Sequence, residues 1–156
     1  MKTFTEFMTE RASFTNWVRP NDEDIALEYK VEYQIKPLKQ MTGDAFPTVE
    51  DFKKAVKAAK VIELTDAVDR KIQYRSRTKS KDAIISLIKG YASYPKFRNE
   101  QTIDAIYKAF ADNKPMKRPF VIQFKDGSMR IMSGNTRADI AQQMDITPKA
   151  LLIQIP

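Results

Sequence analysis

The stretch 119–155 constrains the fold more than any other part of the chain. It runs from Pro119 through Phe120, Val121, Ile122 and Phe124 to the pair Asp126-Gly127, then to a second apolar run over 129–132. Gly134 follows, then an amphipathic stretch over 136–144 with Ala138, Ile140, Ala141 and Met144 on one side, then Pro148 and a last apolar run over 150–155. Asp-Gly between apolar runs is a tight-turn signal, so the order reads strand, hairpin turn, strand, helix, strand. Upstream, Asn99 can cap a helix carrying Ile103, Ile106, Tyr107 and Phe110, which has to end before Pro115. A hairpin, flanking helices and a closing strand share their apolar faces most simply as an α/β protein of the α+β kind.

The earlier residues supply further elements. Positions 4–17 place Phe4, Phe7, Met8, Phe14 and Trp17 at mixed spacings of three and four, a short interrupted amphipathic helix. From Ile25 to Ile35, apolar side chains alternate (Ile25, Leu27, Tyr29, Val31, Tyr33), which reads as a long half-buried strand ended by Pro37. Thr48 and Asp51 form a capping pair for a helix over 49–60 with Phe52, Val56 and Ala59 inward. Short strands are expected over 61–64 and, more weakly, 72–75. Ser80 caps a helix over 81–89 whose face is Ile84, Ile85, Leu87 and Ile88, stopped near Gly90. The expected organisation is a strand-and-helix extension, 1–93, packed on a core unit, 94–156.

With 156 residues and 42% hydrophobic composition the chain can bury a core, and its apolar runs are far too short to span a membrane. Glu6 and Glu10 occupy the place where a secretory signal would be apolar, so a soluble protein is expected. The sequence holds no cysteine and no histidine, which excludes disulfides, thiolate nucleophiles, zinc fingers and imidazole acid–base chemistry. Catalysis would have to use carboxylates, Lys, Arg, Tyr, hydroxyls or an oxygen-bound metal, and no metal-ligand set is recognisable. The net charge of +7 favours a polyanionic partner such as DNA, RNA or a nucleotide. That charge is uneven: six Lys/Arg and no acid fall within 70–81.

The stretch IMSGNTRADIAQQM, 131–144, carries the most chemistry. A strand runs into Gly134 and a helix begins at once. Helix N-termini offer unpaired N–H groups and a positive dipole end to phosphate. Glycine admits close approach of an anion, Arg137 can fork onto its oxygens, and Ser133, Asn135 and Thr136 stand beside them. The plainer account of the same residues is a turn glycine, Asn135 as a helix cap and Arg137 as a solvated charge. Over 138–152 the chain also looks like the first half of a helix-turn-helix, but ALLIQIP follows Pro148 where a polar recognition helix should be. The basic run 74–81, with Arg75, Arg77, Lys79 and Lys81, reads as a nucleic-acid strip or as a solvated basic loop, with Tyr91, Tyr94 and Phe97 near it to stack on bases or to fill the core.

The succession from Tyr94-Pro95-Lys96-Phe97-Arg98 through the helix, the Pro-led strand, the hairpin and Gly134-x-x-Arg137 resembles the N-terminal domain of ParB partition proteins and the related sulfiredoxin and free-serine kinase folds. The resemblance covers roughly 60 residues. It implies nucleotide phosphates at Gly134 and Arg137, assisted by Arg98, and a nucleoside triphosphate with Mg²⁺ as cofactor. Asn135-Thr136 stands where sulfiredoxin has Cys-His, which rules out sulfinic-acid reduction, and where partition proteins have Glu-Arg, which puts triphosphate hydrolysis in doubt. Asp139, Asp126 and Glu100 are the carboxylates open to acid–base or magnesium-contacting roles, each more ordinarily a surface acid. The opening MKTFTEFMTE, 1–10, resembles the capsid-targeting peptides of T-even-like tailed phages, with Met8-Thr9-Glu10 at the cleavage pattern. That implies a phage protein of the host cytoplasm, packaged in the head if the peptide acts. Two functions are therefore expected: a nucleotide- or DNA-phosphate binder with NTPase, kinase or nuclease chemistry, or a non-enzymatic phage protein binding DNA or a host protein. No membrane partner is expected.

Overall fold

The structure, a computed structural model, describes residues 14–30, 39, 42–90 and 99–156. Its centre is a mixed sheet of five strands in the order β2-β7-β5-β6-β3. Strand β5 (Phe120–Gln123) returns as β6 (Met129–Ser133) through the Asp126-Gly127 turn, where Gly127 takes φ +88°. Asp126 accepts from the Ser128 N–H at 2.9 Å and the Ser128 hydroxyl at 2.6 Å. Strand β7 (Lys149–Gln154) lies parallel to β5 on its other side, pairing Phe120 with Leu151 and Ile122 with Ile153. Strand β2 (Lys60–Glu63) closes one edge antiparallel to β7, and the two-residue β3 (Ile72–Gln73) closes the other parallel to β6. Strands on both sides of residue 94 thus share a single sheet.

The pleat divides the interior. Phe120, Ile122, Leu151 and Ile153 face helices α1 (Asp22–Glu28) and α2 (Val49–Ala58), against Ile25, Tyr29, Phe46, Phe52 and Val56. Val121, Ile131 and Ala150 face the other way, against Leu64 and Ile72. A third cluster joins α4 (Lys81–Lys89), α5 (Glu100–Ala111) and α6 (Asn135–Gln143), with Ile84, Ile88, Ile103, Phe110, Ile140 and Ala141 buried. The short α3 (Asp66–Asp69) links β2 to β3. Phe14, Trp17 and Phe110 pack edge to face at 4.9–5.4 Å. Among the described residues no helix is long and apolar enough to cross a membrane.

The start of the expected strand over 25–35 is a helix. Asn21 accepts from the Asp24 N–H at 2.8 Å while Asp24 accepts from the Asn21 N–H at 3.0 Å, a reciprocal cap that nucleates α1. Ile25 and Tyr29 are buried four residues apart, and Leu27, which a strand would bury beside them, is 58% exposed. Alternation at every second position contains the i, i+4 pair of a helix, and the cap decides between them. Residues 31–35 lie outside the described residues. The helix expected over 4–17 also fails where it can be seen: Trp17–Val18 is a strand, β1, parallel to β4 (Met116–Lys117). In α4, Leu87 points outward, and its face is Ile84 and Ile88.

Phe52 is fully buried between Phe46, Tyr29 and Phe120, with ring centroids 5.5–6.4 Å apart. Phe52→Ala is expected to lower unfolding stability by about 3–5 kcal/mol, read by urea denaturation, because the sheet beneath cannot collapse into the void.

Candidate functional site

Strand β6 ends at Ser133, and Gly134 turns the chain into α6 with φ +90°. Gly134, not Asn135, occupies the cap position, and no side chain caps this helix. A Cβ on Gly134 would sit 2.7 Å from the Pro119 Cα and 2.9 Å from an Arg137 guanidinium nitrogen, so the glycine is required by the backbone that crosses it. Arg137 donates from Nε to the Lys117 carbonyl at 3.1 Å, tying the first turn of α6 to the β4–β5 connection. Lys117 is hydrogen-bonded to Asp24. Burial alone would raise the Asp24 carboxyl; the bonds from Lys117 and from the Asn21 N–H outweigh it and hold the group below its ordinary value, with the Arg137 charge adding to them. Ser133 and Thr136 are buried.

One face of α6 is polar yet turned inward: Asn135, Asp139, Gln142 and Gln143, at i, i+4, i+7 and i+8, grip the loop that follows β3. The hub is Arg75, whose side chain is 0% exposed. Its Nε donates to Asp69 at 2.6 Å, Nη1 to Asp139 at 2.7 Å and to Asn135, and Nη2 to Gln142 at 2.9 Å. Asp139, 1% exposed, also accepts from the Ser76 hydroxyl, from the Thr78 N–H at 3.1 Å and from the Thr78 hydroxyl at 2.5 Å. Asn135 accepts from the Ser76 N–H at 3.0 Å and donates to the Tyr74 carbonyl at 2.8 Å. Gln143 donates to the Thr78 carbonyl at 3.2 Å and accepts from the Tyr107 hydroxyl.

Within this clasp Tyr74 and Arg77 are held at φ +63° and +48°, a left-handed conformation costly for bulky residues. Arg77 folds back onto the Asp69 and Ile72 carbonyls at 2.5 and 2.9 Å and remains 40% exposed. Arg70, Arg77, Thr78 and Lys79, with Gln142 and Gln143 of α6, line a cleft of about 480 Å³. Asp66, Asp69 and Asp139 also line it, the last two ion-paired with Arg75. The chain matches no family model, no curated protein and no solved structure.

The expected site residues therefore separate. Arg75, expected at a nucleic-acid surface, is a buried structural cation, because two carboxylates and two amide oxygens surround it. Arg77 and Lys79 stay at the surface beside the cleft, and Lys81 is ion-paired with Asp104, whose hydrogen bond raises its pKa. Asp139 is sealed beneath the loop with both oxygens engaged. Asp126 braces the hairpin, its carboxyl held below the ordinary value by the Ser128 hydroxyl and N–H, and Glu100 pairs with Lys89 at 3.3 Å. Arg98, Pro95, Tyr91, Tyr94 and Phe97 lie outside the described residues, as does the segment 1–10. Asp69, Ser76, Thr78, Gln142 and Gln143 are clasp members that sequence reasoning did not single out, and Arg75, Asn135 and Asp139 were expected in other roles. The legible signal was the polar i, i+4, i+7 stripe of a helix that also carries the buried Ala138, Ile140 and Ala141.

Arg75→Met is expected to cost about 3–5 kcal/mol in thermal or urea unfolding, since it leaves Asp69 and Asp139 buried without their cation. Arg75→Lys should recover only part of that loss, because an ammonium cannot fork to four acceptors. Gly134→Ala is expected to cost about 2 kcal/mol or more, from the left-handed φ and the Pro119 contact together, measured the same way.

Proposed function

We propose that the protein binds the phosphate backbone of a nucleic acid through the loop 74–79 and the cleft between that loop, α3 and α6. The observation that carries this reading is the pairing of a basic loop with a rigid buried clasp. Arg75 is spent inside to neutralise Asp69 and Asp139, so the loop presents Lys79, with Arg70 beside it, from a fixed backbone, while Arg77, paired with Asp69 at 3.4 Å, keeps 40% of its side chain exposed. Lys79 and Arg70 have no ion-pair partner among the described residues. Held cations lose less freedom on meeting phosphate than cations on a loose loop, and the overall charge of +7 draws polyanions toward them.

A second reading is a nucleotide at the Gly134–Arg137 junction, which the left-handed Gly134 and the acid-free first turn of α6 favour. It is the reading implied by the resemblance to ParB-type nucleotide-binding domains. Two contacts weigh against it: the space in front of Gly134 holds Pro119, and Asp24 lies within electrostatic reach of Arg137. A thermal-shift screen of nucleoside triphosphates with Mg²⁺ decides it. Stabilisation by one nucleotide, lost in Arg137→Ala, would establish the junction site; no shift would remove it.

For the leading reading, binding of labelled DNA is expected to weaken as salt rises. Removing Arg70, Arg77 or Lys79 singly should lower the slope of log affinity against log salt by about one each. Arg77→Ala and Lys79→Ala proteins that keep the wild-type slope would overturn it.

A further inference from the structure

Tyr74 is the exposed aromatic side chain on the loop, and unlike Arg77, the loop's other left-handed residue, it makes no side-chain hydrogen bond back to the chain among the described residues. It is a bulky residue in the left-handed region, φ +63°, yet it is 62% exposed, so burial of its ring does not compensate the backbone strain. The two other left-handed residues outside this loop and the glycines are Asn113 and Asp145, types that tolerate the conformation. At Tyr74 the strain is sustained from below by Asn135, whose amide donates to the Tyr74 carbonyl at 2.8 Å. From the side, the Arg130 guanidinium of β6 lies over the ring with its carbon 3.9 Å from the centroid. One ring face is thus backed by a cation, and the remainder of the side chain is turned to solvent on a backbone that cannot easily relax.

We infer that Tyr74, stacked on Arg130, is a platform for an unpaired nucleobase, and that the ligand is single-stranded nucleic acid. This rests on the phosphate-binding reading above and specifies its substrate class. A base in a duplex has both faces covered by its neighbours and offers only its edges in the grooves; a flat ring backed by a guanidinium recognises a free base face. The cation beneath also polarises the ring stack without competing for the open face. Arg77 and Lys79, three and five residues further along the same pinned loop, meet the phosphates that flank the stacked base. The platform reads no base-edge pattern, so binding depends little on sequence.

The test compares a labelled thymidine oligonucleotide of about 12 nucleotides with a hairpin duplex of similar length, by fluorescence anisotropy at fixed low salt. The single strand is expected to bind at least about 10-fold more tightly. Tyr74→Ala should weaken single-strand binding by roughly 5- to 150-fold and leave duplex binding unchanged, whereas Tyr74→Trp should retain it. Tyr74→Gly provides the control for folding: glycine accepts the left-handed backbone, so its melting temperature should stay level or rise while single-strand affinity falls as in Tyr74→Ala. Equal affinity for strand and duplex, or single-strand binding untouched by Tyr74→Ala while Lys79→Ala weakens both, would overturn the platform and leave the phosphate reading standing. Absence of binding to either nucleic acid would overturn both.

Discussion

The Arg75 guanidinium, buried between Asp69 and Asp139, is the contact on which the polar half of this molecule depends. An isolated buried ion would cost several kcal/mol, and here the cost is offset by four side-chain acceptors placed around the guanidinium's three nitrogens. The carboxylates are satisfied in turn by Ser76, Thr78 and Arg77. Three separate pieces of chain are joined by this: α3 through Asp69, the loop after β3, and the inward face of α6. No apolar contact could join them with the same register, because hydrophobic packing is tolerant of small slips and a forked cation is not.

The clasp explains how strained backbone persists at the surface. Tyr74 and Arg77 sit on either side of Arg75 and Ser76, whose bonds to Asn135 and Asp139 over-determine the loop. The same bonds make the helix α6 double-sided. Ile140 and Ala141 bury into the helical cluster while Asn135, Asp139 and Gln142 hold the loop, and Gly134 lets the helix start directly under Pro119. Every face of this nine-residue helix is therefore committed to packing or to holding the loop that it carries.

How legible this was depended on whether the deciding contacts were local. The α5 helix follows from Asn99 and Pro115, the hairpin from Asp126-Gly127, and α4 from Ser80 and Gly90, all within a few residues of the elements they bound. Alternation over 25–35 misled because Ile25 and Tyr29 satisfy a strand and a helix equally, and only the Asn21–Asp24 cap separates the two. Arg75 misled for a different reason: six basic residues in one stretch look solvated until Asp139, 64 positions away, is found to be its partner. The Gly134-x-x-Arg137 stretch was seen as a strand-to-helix turn, and it is one; that Pro119 occupies the near side was invisible in sequence.

By itself the sequence determined the α+β class, the order of the C-terminal strands and helices, the helix caps and the excess of positive charge. These follow from short-range sterics, capping bonds and composition, which act between neighbours in the chain. Only the tertiary structure decided which basic side chain is interior, which remain at the surface, and where Tyr74 stands. Those outcomes turn on pairings between residues some sixty positions apart, and it is the set of carboxylates and amides assembled by folding that offsets the loss of hydration at that one position.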